Sequence, residues 1–159
     1  MAKFVFEGIN EYAAKLYALS DESEKTIKMA VYDGAAVVAN EVKSTIAMLP
    51  AQTENPPKGE PIGLLEYERD GLLEGVGLSG MKNENGFINT KLGFSGYNRL
   101  KSKRYPKGHP NAMIARALQS GTSMRRKNPF MTRAVKAAKE AAEAAMQARF
   151  DEETQKIMQ

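Results

Sequence analysis

Residues 27–49 read IKMAVYDGAAVVANEVKSTIAML. Apolar side chains recur there at Ile27, Val31, Ala35, Val38, Val42, Ile46 and Leu49, every third or fourth position, which is the period of one face of an α-helix. The spacing predicts a long amphipathic helix that Pro50 ends. Gly34 inside it costs about 1 kcal/mol against alanine, and equally permits a partner helix to come close. Upstream, Ile9, Tyr12, Ala13, Leu16 and Leu19 predict a shorter first helix. Ser20 or Asp21 then supplies a side-chain cap for the long one, with Glu22 and Glu24 near its positive end. Phe4, Val5 and Phe6 read as a short strand.

Beyond Pro50, the stretch 51–61 holds Pro56, Pro57, Gly59 and Pro61 among polar residues and predicts an extended, mobile loop. Leu64, Leu65, Tyr67, Leu72 and Leu73 suit one or two helical turns interrupted at Asp70 and Gly71. Val76 to Met81 and Phe87 to Phe94 read as two strands of a hairpin around Asn83 to Gly86. The stretch 93–108 is polar, basic and rich in turn formers, a second exposed loop. Pro110 opens a short helix through Met113, Ile114, Ala117 and Leu118 that Gly121 stops. Pro129 opens a last long helix whose apolar face is Phe130, Ala134, Ala137, Ala138, Ala141, Ala145 and Ala148. The sum is an α+β domain spanning 1–159: two long helices packed on a small antiparallel sheet, with two long exposed loops.

With 159 residues, 42% of them hydrophobic and 26% charged, the composition is that of one folded domain rather than a disordered chain. Cysteine is absent, which excludes disulfides, thiolate metal sites and a thiol nucleophile. The apolar run at Phe4 to Phe6 is too short for a signal-peptide core. The most apolar window, Met29 to Ala39, falls short of the ~20 residues that span a bilayer, so a soluble protein without membrane contact is expected. The net charge of +4 is unevenly spread, because no Asp or Glu occurs between Glu84 and Glu140 while thirteen Lys and Arg do. Removing those thirteen from the 23 basic residues leaves ten against all 19 acidic ones, about −9 for the rest of the chain.

Gly75, Gly77 and Gly80 match the spacing of a dinucleotide fingerprint, but that motif follows a strand and opens a helix, and here a helical segment precedes it and a turn follows. They read as glycines at a bend or strand edge. His109 is the single histidine, which rules out a multi-histidine metal site, and its place between Gly108 and Pro110 reads as solvated loop. No serine sits in a nucleophile-elbow pattern, no carboxylate spacing singles out an acid–base pair, and neither an enzyme nor a cofactor is expected. The basic residues Arg99, Lys101, Lys103, Arg104 and Lys107, then Arg125, Arg126 and Lys127, with Tyr97 and Tyr105 interleaved, are candidates for facing DNA or an assembly partner. Neither a recognition helix nor a stacking-strand signature accompanies them, which favours solvated or protein-docking loops over a nucleic-acid-binding protein.

The run Asn111-Ala-Met-Ile-Ala-Arg-Ala-Leu118, then Gly121, Thr122, Ser123, then Asn128, Pro129 and Phe130 before a long helix, resembles the tail-completion or head-tail joining family of long-tailed bacteriophages and prophages. In that family an apolar short helix leads to a Gly-Thr-Ser turn and a Pro-Phe helix start. The order of elements fits across most of the chain, while the sequence-specific likeness covers about Asn111 to Ala134. Family members often carry an acidic or aromatic residue before the turn, where this chain has Gln119 and Ser120. The resemblance implies a structural virion protein that forms a ring, a hexamer, where the tail meets the head connector. Its partners would be further copies of itself, the tail tube or tail terminator protein, a head-completion or connector protein, and the passing DNA. A tail terminator or head-closure protein of the same neck is the alternative within that class. Gly121, Thr122, Ser123, Pro129 and Phe130 take fold-defining roles in this reading.

Overall fold

The computed structural model describes residues 9–159, with side-chain surroundings from residue 13 onward. The strand expected at Phe4 to Phe6 lies outside the described residues. The long helix is present and longer than its apolar stripe suggested: α1 runs without a break over Ile9–Ala47. The separate first helix and the cap at Ser20 or Asp21 are therefore corrected. The Ser23 hydroxyl donates back to the Ser20 carbonyl at 2.8 Å, a bond that a serine makes inside a helix. Glu22 and Glu24 pair instead with Lys25 and Lys28 one turn on.

The chain then lays down a two-residue strand β1 (Ala51–Gln52), which pairs in parallel with β2 (Leu64–Leu65) across the proline-rich loop. Helix α2 (Glu66–Gly75) follows directly, unbroken at Asp70 and Gly71. The helix runs on through Gly71, where a side chain would collide with Asn111, whose Oδ1 lies 2.6 Å from where a Cβ would sit. The predicted interruption is one of two places, with Gly75, where α2 packs too closely to admit a side chain.

The hairpin is confirmed, in two rungs. Strand β3 (Val76–Leu78) pairs antiparallel with β6 (Leu92–Phe94), and β4 (Lys82–Glu84) with β5 (Phe87–Asn89). Asn85 and Gly86 make the turn with φ of 55° and 85°, the two left-handed positions a type I′ hairpin demands. Between the rungs, three residues, 79–81, face two, 90–91, so the register slips by one in a bulge held by Ser79. Helix α3 (Asn111–Ser120) and helix α4 (Phe130–Met158) complete the fold. The architecture is α+β with two long helices, small sheets and two long exposed loops.

α4 packs antiparallel along α1: Lys15 reaches the Gln159 carbonyl, Asp33 meets Arg149, and Gly34 lies against Ala142 and Met146. A Cβ at Gly34 would stand 3.2 Å from the Ala142 carbonyl oxygen and nearer still to the Met146 side chain, so the close approach read from the sequence is realised. The buried face of α4 is turned from the one expected. Phe130, Ala134, Ala138 and Ala142 are buried at intervals of four, while Ala137, Ala141 and Ala148 are exposed. Alanines on both sides of the helix gave composition no means of choosing between them. The core gathers at the other end of the pair, where Val42, Ile46 and Leu49 meet Leu64, Leu72, Val76, Ile114, Leu118 and Phe130. Among the described residues no helix is long and apolar enough to cross a membrane.

Candidate assembly surface

The segment that carries the family resemblance folds as a tight joint between α3 and α4. Gly121 ends α3 at φ +74°, and its N–H donates to the Ala117 carbonyl at 2.8 Å. A residue other than glycine would be strained there and would also press on Lys127. Thr122 and Arg125 close a turn through backbone bonds in both directions, and the Thr122 hydroxyl accepts the Met124 N–H at 3.2 Å. Ser123 is exposed at the tip. Asn128 returns its N–H to the Leu118 carbonyl at 2.7 Å, satisfying the end of α3. Pro129 then starts α4, and Phe130 is fully buried with its ring edge-on to Phe94 at 6.1 Å.

Two residues that the sequence reading gave no role complete this joint. Gln119 reaches over to cap α4: its Oε1 accepts the Met131 N–H at 3.0 Å and its Nε2 donates to the Thr132 hydroxyl. Glu68 of α2 is buried and binds Arg125 through both oxygens, at 2.9 and 2.8 Å. The same Arg125 donates to the Gly63 carbonyl at 2.7 Å, and Glu68 accepts the Leu65 N–H at 3.1 Å. With the side chains of Arg125 and Glu68 only 11% and 5% exposed, this is an internal ion pair with a fork-to-fork geometry. Arg125 is thereby removed from the candidate partner-facing residues, leaving Arg126 and Lys127 exposed beside it. Beside the pair, burial pushes the Tyr67 phenol above its usual range, with the Glu68 carboxylate adding to the shift and Arg125 opposing it.

The second group of basic candidates sits on a loop that is exposed yet closed on itself. Asn98, buried, accepts the Leu100 and His109 N–H groups on its Oδ1 at 3.1 Å each, and its own N–H donates to the His109 carbonyl at 2.9 Å. Ser102 and Tyr105 exchange backbone bonds, and Gly108 donates back to Tyr105. The Tyr105 ring packs on His109 with centroids 4.6 Å apart, its hydroxyl reaches the Met113 sulfur, and the Arg104 guanidinium lies 5.7 Å over its face. His109 and Tyr105 are therefore parts of the closure, half-buried, rather than solvated loop residues. Arg99, Lys101, Lys103, Arg104 and Lys107 all remain exposed on it. Among the described residues, Arg125 alone of the thirteen cations between Glu84 and Glu140 forms an ion pair.

Gly75 ends α2, Gly77 lies in β3 and Gly80 in the bulge, and no helix begins after them, so the dinucleotide spacing carries no phosphate site. The depression that Gly75 and Gly77 border, about 300 Å³, is lined mostly by glycine, serine and apolar residues, with Lys91 the one charged side chain. Among the described residues no three His, Asp or Glu side chains converge as a metal site would need. Set against models of known protein families, curated proteins and solved structures, the chain finds no match.

Proposed function

We propose that this protein is a structural subunit of a bacteriophage neck, which completes the tail and joins it to the head as a ring of like copies. The observation that carries the reading is the joint from Asn111 to Ala134. The residues that resemble the family are those that set the angle between α3 and α4, through the positive φ of Gly121 and the buried Phe130. A motif that fixes geometry and carries no reactive group suits a protein whose task is to hold a shape. The surface supports the same reading. Leu16, Tyr17, Ile27 and Tyr32 along α1, Phe150 on α4 and Phe87 on the hairpin are large apolar side chains left exposed, Tyr17 and Phe87 by about three quarters. Apolar side chains in such number along one helical pair are what contacts with other subunits would cover. The acid-free segment and the acidic remainder give each copy regions of opposite sign, suited to head-to-tail contacts within a ring.

The test is electron microscopy of the purified protein, alone and mixed with tails lacking it. Rings, and tails that gain a terminal density and then join heads, are expected. A protein that stays monomeric and associates with neither tails nor heads would refute the reading.

A further inference from the structure

We propose that the closed loop from Asn98 to His109 is a docking element for the phosphate backbone of duplex DNA, binding without readout of sequence. The inference deepens the neck reading by naming the partner of one basic surface. Five cations, Arg99, Lys101, Lys103, Arg104 and Lys107, stand exposed within nine residues, and among the described residues none of them has an acidic partner. Their mutual repulsion is held in place by the Asn98 hydrogen bonds, the Ser102–Tyr105 pairing and the Tyr105–His109 contact. Ordering a cationic loop during folding removes that entropy loss from the binding step, and a polyanion relieves the repulsion.

The geometry chooses among polyanions. Binding to single strands needs aromatic faces on which successive bases stack. Of the two tyrosines at the loop, Tyr105 within it is occupied by His109, Arg104 and Met113, which leaves only Tyr97, just before it, exposed. Sequence readout needs a helix or ribbon that enters a groove, and these cations lie on a short loop whose reach is to phosphates. Positive charge spread over a fixed loop, with one free ring, fits the regular phosphate array of a duplex.

The experiment is fluorescence anisotropy of the full chain with two labelled duplexes of unrelated sequence and a single strand of oligo-dT, at several salt concentrations. Five phosphate contacts give a slope of log K against log salt of about −4.5, or a loss of roughly 500-fold between about 50 and 200 mM. The variant Lys101→Gln/Lys103→Gln/Lys107→Gln should fold as the parent does by circular dichroism and should reduce that slope by about 3 on both duplexes. The control Arg133→Gln/Lys136→Gln/Lys139→Gln on α4 removes the same charge elsewhere and should leave the slope unchanged. Absence of salt-dependent binding, an equal effect of the α4 variant, tighter binding of oligo-dT, or a preference between the two duplexes would each overturn the proposal. Any of these in a protein that still forms rings and joins tails would leave the neck reading standing.

Discussion

Replacing Arg125 by alanine removes two bonds to Glu68 and one to the Gly63 carbonyl, and leaves the Glu68 carboxylate enclosed with only the Leu65 N–H for company. An exposed ion pair would be worth under about 1 kcal/mol, but a pair this deeply enclosed is in a different regime. Breaking it from one side costs about 3 to 5 kcal/mol, because the remaining charge has lost its solvation and gained nothing. For a chain of this length that corresponds to a fall in Tm of roughly 6 to 20 °C. Urea unfolding followed by circular dichroism measures it, and a double-mutant cycle identifies its origin. Glu68→Gln/Arg125→Met keeps an acceptor for Leu65, has no charge to strand, and should recover most of the loss. Arg126→Glu and Lys127→Glu, made on the adjacent exposed residues, should each move stability by no more than about 0.5 kcal/mol. A loss below about 1 kcal/mol for Arg125→Ala, or a double variant no more stable than the single, would refute the account. Reversing the charge of Arg125 together with Arg126 and Lys127 would therefore destabilise the joint as well as change the surface.

Phe130→Ala should destabilise by about 3 to 5 kcal/mol in the same unfolding assay, since the ring is fully buried and edge-on to Phe94; an unchanged melt would place the ring outside the core. Gly34→Leu should lower the melting temperature by driving α1 from α4, and Met146→Ala should restore part of the loss because Met146 is the side chain nearest the missing Cβ; a neutral Gly34→Leu would mean that the helices are not in contact there. Limited proteolysis should cut within 51–61 before 98–109, because between β1 and β2 the first has one internal backbone bond, Glu60 to Pro57, and the second is tied at several points; first cleavage inside the 98–109 loop would show that its closure does not hold.

Much of the fold was legible where local chemistry decides it. Pro110, Gly121 and Pro129 mark the ends of α3 and the start of α4 because their effects act within one turn of backbone. Asn85 and Gly86 announce the hairpin for the same reason. What was misread depends on partners remote in sequence. Whether Ser20 and Asp21 cap a helix or lie inside one was settled by α4 running alongside, and whether Gly71 breaks α2 by Asn111 lying against it. The most consequential case is Arg125. Its neighbours Arg126 and Lys127 look identical in sequence, and only a carboxylate 57 positions away separates the buried member of the trio from the exposed ones. Of the candidate assembly residues, the five cations of the closed loop kept the exposure expected of them, while the closure itself, built on the side chain of Asn98, left no periodic signal to read.

The pairing of α1 with α4 has a consequence for the order in which the molecule is made. Lys15 meets the Gln159 carbonyl across 144 positions of chain, so α1 leaves the ribosome long before the surface that will cover it exists. At about 5 to 20 residues per second that wait lasts roughly 7 to 30 s for the 144 positions. Throughout it, the nascent chain carries an amphipathic helix of which the part that α4 covers is bare, and the helix pair can close only after the whole span between them has been synthesised. The last helix is thus the step that ends the exposure, and truncation within α4 should yield an aggregating product rather than a shorter soluble one.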